Sequence, residues 1–352
     1  WKAAENAANP ERIWERELGR RRDILRASGE LWPEGDWSKW LVLSVDAFIV
    51  RGGAACGKSV IAGYHWFGDW GRDTFISLPG LALVTGRFND AEQILLAYGA
   101  HEKDGLIPSF FAEALDMAAS YESVDTSLWY VNAVLEYVKY TGNLAFVRKH
   151  LWPVLRSIID HYSAGTQYGI HVDADGLVHH GPRLTWMDAA VNGVPVTPRE
   201  GKAIEVQALW YNALKTMALL SKALGEDASE YELRAEAAAK SFRATFWNEE
   251  TGSLFDMVAN GSRDSSVRPN QILAVSLDHG MLDSSMAESV VCFVWRKLWA
   301  TYGLRTLSAE DPKYRGVCRG NQRERDLAYH NGTIWPWLAG PFVKAFLKTK
   351  RY

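Results

Sequence analysis

An indole and a carboxyl group stand two residues apart in this chain, at Trp186 and Asp188. Such a pair suits acid catalysis, because the apolar ring partly removes water from the carboxyl group and raises its pKa. A raised pKa keeps the carboxyl group protonated until it donates its proton to a leaving group. The simpler alternative is an aspartate in a surface loop with no catalytic role. We predict that Asp188 is a general acid and that Trp186 lies beside the bound substrate.

A second polar and aromatic group, Trp70, Arg72 and Asp73, comes directly before an apolar stretch of helical periodicity. The arginine can bind two hydroxyl oxygens at once, the aspartate can accept hydrogen bonds, and the indole can lie under a sugar ring. In the alternative interpretation, Asp73 only caps the N-terminus of that helix. The group predicts a subsite for a terminal sugar. Four tryptophans share polar surroundings that suit the apolar faces and hydroxyl rims of sugars: Trp66, Trp70, Trp186 and Trp335.

Carboxyl groups also stand at the start of later helical stretches, at Asp125, Glu205, Glu324 and Asp326. A hydrolase needs a second carboxylate to activate water. Glu324 and Asp326, which stand between arginines, could supply it, or they could form only a solvated charge cluster. Asp125 fits either a helix cap or a sugar-binding residue. Glu205 could cap its helix, orient Arg199 or contact sugar, and Glu324 is a further candidate for substrate binding.

The histidines predict no metal site. His330 is expected to bind a sugar hydroxyl or to have a structural role, and Trp335, five residues later, is expected to contact the sugar. The pair His179 and His180 and the acidic turn Asp173–Gly176 lack a complete ligand set for zinc or calcium. We therefore expect neither a metal nor another cofactor.

Composition limits the possible partners. The formal charge is −3 and no dense block of lysine and arginine occurs, so neither nucleic acid nor an anionic membrane surface is expected. No uninterrupted apolar run reaches the roughly 18 residues of a membrane span. Three scattered cysteines without a CxxC pair predict a reducing compartment, the cytoplasm. The start at Trp1 resembles neither an initiator methionine nor a signal peptide, and we interpret it as a truncation point.

Helical periodicity recurs along the whole chain, whereas strand-like alternation is scarce. The helical stretches are 41–50, 73–84, 91–101, 126–140, 143–161, 202–224, 229–246, 286–299 and 333–347. Short connections with Gly, Asn or Asp indicate helical hairpins. The segments around Trp129 and Trp210 resemble each other. If one helical hairpin takes about 40 residues, their separation equals two hairpins. This spacing predicts a toroid or a solenoid of helix pairs. The long irregular segment 165–201 favours a toroid with a functional loop.

Five segments occur in the order found in the glycogen debranching enzyme family, and together they resemble its amylo-α-1,6-glucosidase domain. They are Ser59–Ile76, Asp104–Pro108, Thr185–Asp188, Thr197–Glu205 and Tyr329–Gly332. The resemblance implies an all-α fold, an (α/α)6 barrel or six-hairpin toroid with long loops at the active-site end. It implies a single catalytic domain over residues 1–352, without a further N-terminal domain that full-length relatives carry. It also implies inverting release of α-1,6-linked glucose from glycogen, limit dextrin or branched oligosaccharides, with Asp188 as the acid.

Two positions depart from that family. Eukaryotic members carry a glutamate, assigned as the base, at the position of Thr333, so the base must come from elsewhere. We predict Asp326, which stands in the same segment, with Glu324 and then Glu205 as alternatives. Many members carry a lysine at the position of Ala189. The group at Trp70, Arg72 and Asp73 also resembles the glucose-binding residues of glucoamylases. The alternatives are therefore a glucoamylase-like or trehalase-like enzyme, or a glucan-binding domain without catalysis.

Overall fold

The computed structural model describes residues 9–29, 36–51, 57–65, 67–111 and 119–350, and this part of the chain is mostly helical. Its helices of eight residues or more are α1 (Pro10–Ala27), α2 (Asp36–Val45), α3 (Gly71–Leu78), α4 (Phe88–Gly99), α5 (Thr126–Thr141), α6 (Trp152–Ala164), α7 (Ile204–Leu224), α8 (Ser229–Phe246), α9 (Ser284–Leu298), α10 (Gln322–Tyr329) and α11 (Ala339–Thr349). Within the described ranges, none of the helices is both long and apolar enough to cross a membrane.

The chain folds into two compact units. The first comprises residues 1–101, 108–120 and 133–151, and the second comprises residues 102–107, 121–132 and 152–352. The expectation of a single catalytic domain over residues 1–352 stays a prediction.

A four-stranded antiparallel sheet belongs to the first unit. Its strands, in spatial order, are β1 (Ile49–Arg51), β2 (Lys58–Gly63), β3 (Phe67–Trp70) and β4 (Phe110–Phe111). Helix α3 follows β3 without a loop, because Trp70 keeps an extended backbone and the helix begins at Gly71. Phe75 of α3 is fully buried and packs edge-on against Tyr98 of α4, with ring centroids 4.9 Å apart. Burial of a side chain of this size stabilises the fold by roughly 1.5–3 kcal/mol and fixes the first turns of α3.

In the second unit, α7 and α8 pack together as a helical hairpin. Helix α7 ends at Gly225, whose φ of 74° lies in the left-handed region that favours glycine. The N–H of Glu226 donates to the carbonyl oxygen of Ser221 at 2.8 Å, which satisfies one of the last carbonyl groups of α7. The helix is buried along most of its length, which explains its continuous apolar sequence.

Short antiparallel sheets occupy the connections between the helices of the second unit. Two-stranded sheets join β5 (His171–Val172) to β6 (Val178–His179), β7 (Ala190–Val191) to β8 (Val194–Pro195), and β10 (Trp247–Asn248) to β11 (Ser253–Leu254). Three-stranded sheets are formed by β13 (Ser262–Asp264), β12 (Met257–Ala259) and β9 (Lys202–Ala203), and by β14 (Trp299–Ala300), β15 (Gly303–Arg305) and β16 (Ile334–Trp335). Strand β9 leads directly into α7, so its sheet fixes the segment in front of that helix.

The helical content is confirmed, but three local predictions were wrong. The first predicted stretch, 41–50, is α-helical as far as Val45 and continues as a 3₁₀ helix over Asp46–Phe48, but β1 begins at Ile49. The last helix begins at Ala339, not at Thr333, because strand β16 and Pro336 come first. The prediction of few strands missed the short sheets, because strands of two or three residues are too brief to show alternation.

Candidate functional site

The Trp186 side chain is held in one orientation within the long segment between α6 and α7. Its indole Nε1 donates to the Oδ1 atom of Asn270 at 2.8 Å, and the residue is 8% exposed. The ring meets His330 and Trp337 edge-on, each with centroids 5.3 Å apart. Asp188 is half-buried, and its main-chain carbonyl accepts a hydrogen bond from Arg183 Nε at 3.2 Å. The predicted acid therefore stands two residues after a fixed, buried indole.

A buried network of charges lies beside this segment. The Asp256 carboxylate binds Arg199, and Arg199 also binds Glu205 on the first turn of α7. Asn270 Nδ2 donates to Asp256 Oδ1 at 2.7 Å, and Arg268 Nε lies 3.8 Å from Asp256 Oδ2. The four charged side chains are 1–7% exposed. Two cations and two anions balance, as a buried cluster of this kind requires.

Burial has a direct effect on the two arginines of this network. It lowers the pKa of Arg199, while the charge of Glu205 opposes that shift, and it also lowers the pKa of Arg268. A guanidinium group nevertheless keeps its proton in proteins. The backbone of Arg199 has a φ of 47°, which is uncommon for a residue other than glycine. Glu205 thus pairs with Arg199, and its roles at the site stay predictions.

The segment around His330 is attached to the same network. Arg268 Nη1 donates to the carbonyl oxygens of Thr306 at 3.1 Å and of His330 at 2.6 Å, and its Nη2 donates to Asn331 Oδ1 at 3.0 Å. His330 is 1% exposed, and its ring centroid lies 6.3 Å from that of Trp335. The structure thus gathers Trp186, His330 and Trp335 into one aromatic group.

Asp125 is buried directly before α5. Its Oδ1 atom accepts a hydrogen bond from the Ser123 hydroxyl at 2.7 Å, and that same hydroxyl oxygen accepts the N–H of Thr126 at 3.2 Å. Its carbonyl oxygen accepts the N–H of Trp129 at 2.8 Å, as expected of the residue that starts a helix. Asp125 therefore occupies the predicted place at a helix entrance.

His180 is a buried titratable residue that the sequence motifs did not single out as a site residue. Burial lowers its pKa to about 4, with smaller lowering contributions from Arg199 and His179 and an opposing one from Asp125. Its Nδ1 donates to the carbonyl oxygen of Gly181 at 2.8 Å. Within the described part of the chain, its Nε2 has no hydrogen-bond partner. The ring is thus neutral at pH 7, with Nε2 as an acceptor.

Glu324 and Asp326 lie within a short helix, α10, which precedes the last helix of the chain, α11. Asn321 and Glu324 form a capping box: Asn321 N donates to Glu324 Oε2 at 2.9 Å, and Glu324 N donates to Asn321 Oδ1 at 3.0 Å. Asp326 is half-buried, and its Oδ1 accepts a hydrogen bond from Gln322 Nε2 at 2.6 Å. Helix α10 packs against β7, which begins two residues after Asp188.

The predicted sugar-binding group of the first unit surrounds the junction of β3 and α3. Trp70 is the N-cap residue, and Arg72 and Asp73 lie in the first turn, so the alternative that Asp73 is the N-cap was wrong. The carboxylate of Asp73 lies at the positive end of the helix dipole. The Trp70 ring packs against Phe110, with centroids 4.9 Å apart. Trp66 lies outside the described residues.

No group of three or more potential metal ligands occurs in the described ranges. Three residues of the buried network were missed from the sequence, namely Asp256, Arg268 and Asn270. Asn270 and Arg268 bind the predicted residues Trp186 and His330, and Asp256 binds Arg199, the partner of Glu205.

Comparison with known proteins identifies the family of this chain. Residues 43–352 match the family model described as amylo-alpha-1,6-glucosidase. The glycogen debranching enzyme of Saccharomyces cerevisiae (strain ATCC 204508 / S288c) is 26% identical over 372 aligned residues, which cover 79% of this chain and 24% of the relative. The chain therefore spans about a quarter of the length of that curated relative. Both matches indicate a glycoside hydrolase-type enzyme. The chain belongs to the amylo-alpha-1,6-glucosidase family, as the sequence resemblance predicted.

Solved structures add information on the fold. An uncharacterized conserved protein from Thermus thermophilus has a TM-score of 0.65 and 16% identity, covering 88% of this chain and 86% of that chain. A GH78 family rhamnosidase of Bacillus sp. GL1 has a TM-score of 0.48 and 18% identity, covering 79% of this chain and 31% of that chain. The Thermus protein shares the fold over most of the chain, and at this identity the likeness concerns the fold alone.

Proposed function

We propose that this chain releases glucose from α-1,6-linked branch stubs of glycogen or limit dextrin, with inversion at the anomeric carbon. The observation that carries the proposal is the family match over residues 43–352, which includes the segment of Trp186 and Asp188. The name of the yeast relative, glycogen debranching enzyme, supports a branched glucan as the substrate. We further propose a cytoplasmic enzyme that needs no metal or other cofactor, with its helices arranged as an (α/α)6 barrel.

In this proposal, Asp188 donates its proton to the glycosidic oxygen as the bond from that oxygen to the anomeric carbon breaks. Asp326 takes a proton from a water molecule whose oxygen bonds to the opposite face of the anomeric carbon, so the product is β-glucose. The packing of α10 against β7 supports this pair, because it brings the helix of Asp326 next to the strand that follows Asp188. Inversion requires a separation of about 6.5–9.5 Å between the two carboxyl groups, with a water molecule between them.

Asp326 is a better candidate for the base than the two alternatives. Glu324 is exposed, and its carboxylate closes the capping box of α10. Glu205 binds Arg199 in the buried network, so its carboxylate is already engaged by a guanidinium group. Asp326 is half-buried and accepts a hydrogen bond from the neutral Gln322.

The remaining candidate residues are proposed to bind the substrate. Trp70, Arg72 and Asp73 would hold the terminal glucose, the indole against its ring and the two charged groups at its hydroxyls. The aromatic group of Trp186, His330 and Trp335 would supply apolar surface and a ring nitrogen for hydrogen bonding. Three carboxylates complete the proposed set of substrate-binding residues: Asp125, Glu205 and Glu324.

Glucose release tests the proposal directly. The parent protein is assayed on a singly 6-branched dextrin and on isomaltose-type, maltose-type and trehalose substrates, and the anomer is followed by NMR. Asp188→Asn should lower kcat by at least about 100-fold on the branched dextrin, the usual contribution of a general acid. Asp326→Asn should lower kcat on the same substrate by a similar factor. Glu249→Gln removes an exposed carboxylate from a turn after β10 and is the matched control.

Each outcome has a distinct meaning. Full activity of Asp188→Asn removes it as the acid, and full activity of Asp326→Asn removes it as the base. α-Glucose as the first product contradicts inversion. Preference for maltose-type or trehalose substrates would assign the enzyme to another α-glucosidase class, and glucan binding without glucose release would indicate a non-catalytic domain.

A further inference from the structure

Exposed tryptophans gather on the first two helices. Trp14 of α1 is 62% exposed, and Trp37 and Trp40 of α2 are 62% and 66% exposed. Residues three and four apart lie on the same side of a helix, so Trp37, Trp40 and Leu41 share one face of α2. Leu41 is also exposed, at 47%. Grouped apolar side chains in contact with water indicate a binding surface.

A cavity of about 350 Å³ opens beside Trp40. The residues that line it include Trp40 and four polar residues, Arg20, Arg21, Ser44 and Asp46. The volume falls in the range of roughly 300–1,000 Å³ that is typical of small-molecule sites. An aromatic residue and several polar residues thus line the same cavity.

The polar wall of this cavity is held in place by ion pairs. Arg20 binds Glu17 at 2.8 Å and Asp46 at 2.7 Å, and Arg21 binds the same glutamate at 2.8 Å. Hydrogen bonds from the two arginines lower the pKa of Glu17 to about 2. Asp46 is also bound by Arg87 at 2.7 Å, an arginine side chain that is only 9% exposed. The wall is therefore preorganised.

The charge balance of the cavity indicates the class of its ligand. Arg20 and Arg21 already bind the carboxylates of Glu17 and Asp46, so an anion such as a phosphate group would have to compete with these carboxylates for the guanidinium groups. An uncharged ligand with many hydroxyl groups can instead accept from the guanidinium groups and donate to the carboxylate. The indole suits the apolar C–H face of a pyranose ring. Sugar chains combine these two properties.

We propose that this cavity is a second carbohydrate-binding site, which takes pyranose rings of an uncharged glucan at Trp40. It shares no residue with the candidate active site. The identity of the glucan as α-linked rests on the proposed function, whereas the site itself rests on Trp40 and its polar surroundings. Such a site keeps a polymer attached between turnovers and raises the effective concentration of its branch points.

Affinity electrophoresis in native gels that contain glycogen tests this proposal. All variants carry Asp188→Asn, so that the polymer is not consumed. Trp40→Ala should raise the apparent Kd for glycogen about tenfold, which corresponds to about 1.4 kcal/mol. Trp40→Phe, which keeps an aromatic face, should retain most of the affinity. Tyr302→Ala is the matched control, because Tyr302 is 74% exposed and lies in a turn of the second unit.

Equal retardation of Trp40→Ala and its parent by glycogen overturns the proposal. If hydroxyethyl cellulose retards the parent protein as strongly as glycogen does, the assignment of the ligand to an α-glucan is overturned. In the catalytically intact background, the ratio of the KM for glycogen to the KM for a short branched dextrin should rise in Trp40→Ala. The gel result does not depend on glucose release, so an inactive protein that loses glycogen retention on Trp40→Ala would support this site while contradicting the proposed function.

Discussion

Asp256 connects several candidate site residues although it belongs to none of the motifs. Its carboxylate binds Arg199, accepts a hydrogen bond from Asn270, and lies 3.8 Å from Arg268. Its carbonyl oxygen accepts the N–H of Ile204, the first residue of α7, at 3.1 Å. Through these neighbours it is connected to three candidate site residues: Glu205, Trp186 and His330. One buried carboxylate therefore supports three separate segments.

Asp256→Asn should destabilise the protein strongly. The substitution leaves two buried guanidinium groups opposite a single carboxylate, and an uncompensated charge of this kind costs about 3–5 kcal/mol. Urea unfolding at pH 7 measures the loss. The control is Glu310→Gln, which breaks the ion pair of Lys297 with a glutamate whose side chain is 73% exposed and should cost only about 0–1 kcal/mol. Similar small losses in the two variants would contradict the special role of Asp256.

The sequence motifs identified candidate site residues, but not the buried residues that hold them in position. Trp186, His330 and Trp335 were predicted from their polar surroundings, and the structure gathers their rings. Asn270 and Asp256 lie in segments without such a motif. The bond from Trp186 to Asn270 spans 84 residues, and the contact of Arg199 with Asp256 spans 57. Pairing over such distances depends on the tertiary fold, which periodicity does not provide.

At the scale of elements, α10 depends on its first turn. The helix has only eight residues and no apolar stripe, so its start is fixed chiefly by the capping box of Asn321 and Glu324. Its single buried residue is Ala328. The lack of a stripe also explains why periodicity did not predict this helix. By contrast, α8 was predicted with its observed bounds, because its apolar residues recur at helical spacing.

Asn321→Ala should loosen α10 specifically. The substitution removes the oxygen that accepts the N–H of Glu324 and should cost about 1 kcal/mol. Hydrogen exchange of the amides in residues 322–329 should become faster. Asn9→Ala is the control, because Asn9 caps α1 through the same type of bond, to Arg12 N at 3.2 Å. Asn9→Ala should leave exchange in α10 unchanged, and equal exchange rates in Asn321→Ala and the parent protein would contradict the role of the box.

For the molecule as a whole, His180 couples folding to pH. Its pKa is about 4 in the folded chain, against an ordinary value of 6.5, because burial disfavours the charged ring. Above pH 6.5, neither the folded nor the unfolded chain holds the proton, so the shift costs no stability. As the pH falls from 6.5 toward 4, the unfolded chain binds a proton that the folded chain excludes, and the free energy of unfolding decreases. Below about pH 4 both states are protonated, and the full loss has been reached.

Between pH 7 and pH 5, this exclusion should lower the free energy of unfolding by about 2 kcal/mol, since one pKa unit corresponds to about 1.4 kcal/mol. Other groups titrate in the same range, so the contribution of His180 is obtained by difference from His180→Gln, which keeps a polar, uncharged side chain at this position. Urea unfolding at both pH values should show a loss about 2 kcal/mol smaller in His180→Gln than in the parent protein. His150→Gln replaces an exposed histidine and should follow the parent. If His180→Gln loses as much stability on acidification as the parent does, the excluded proton lies on another group, and the burial of His180 does not account for the acid sensitivity of the fold.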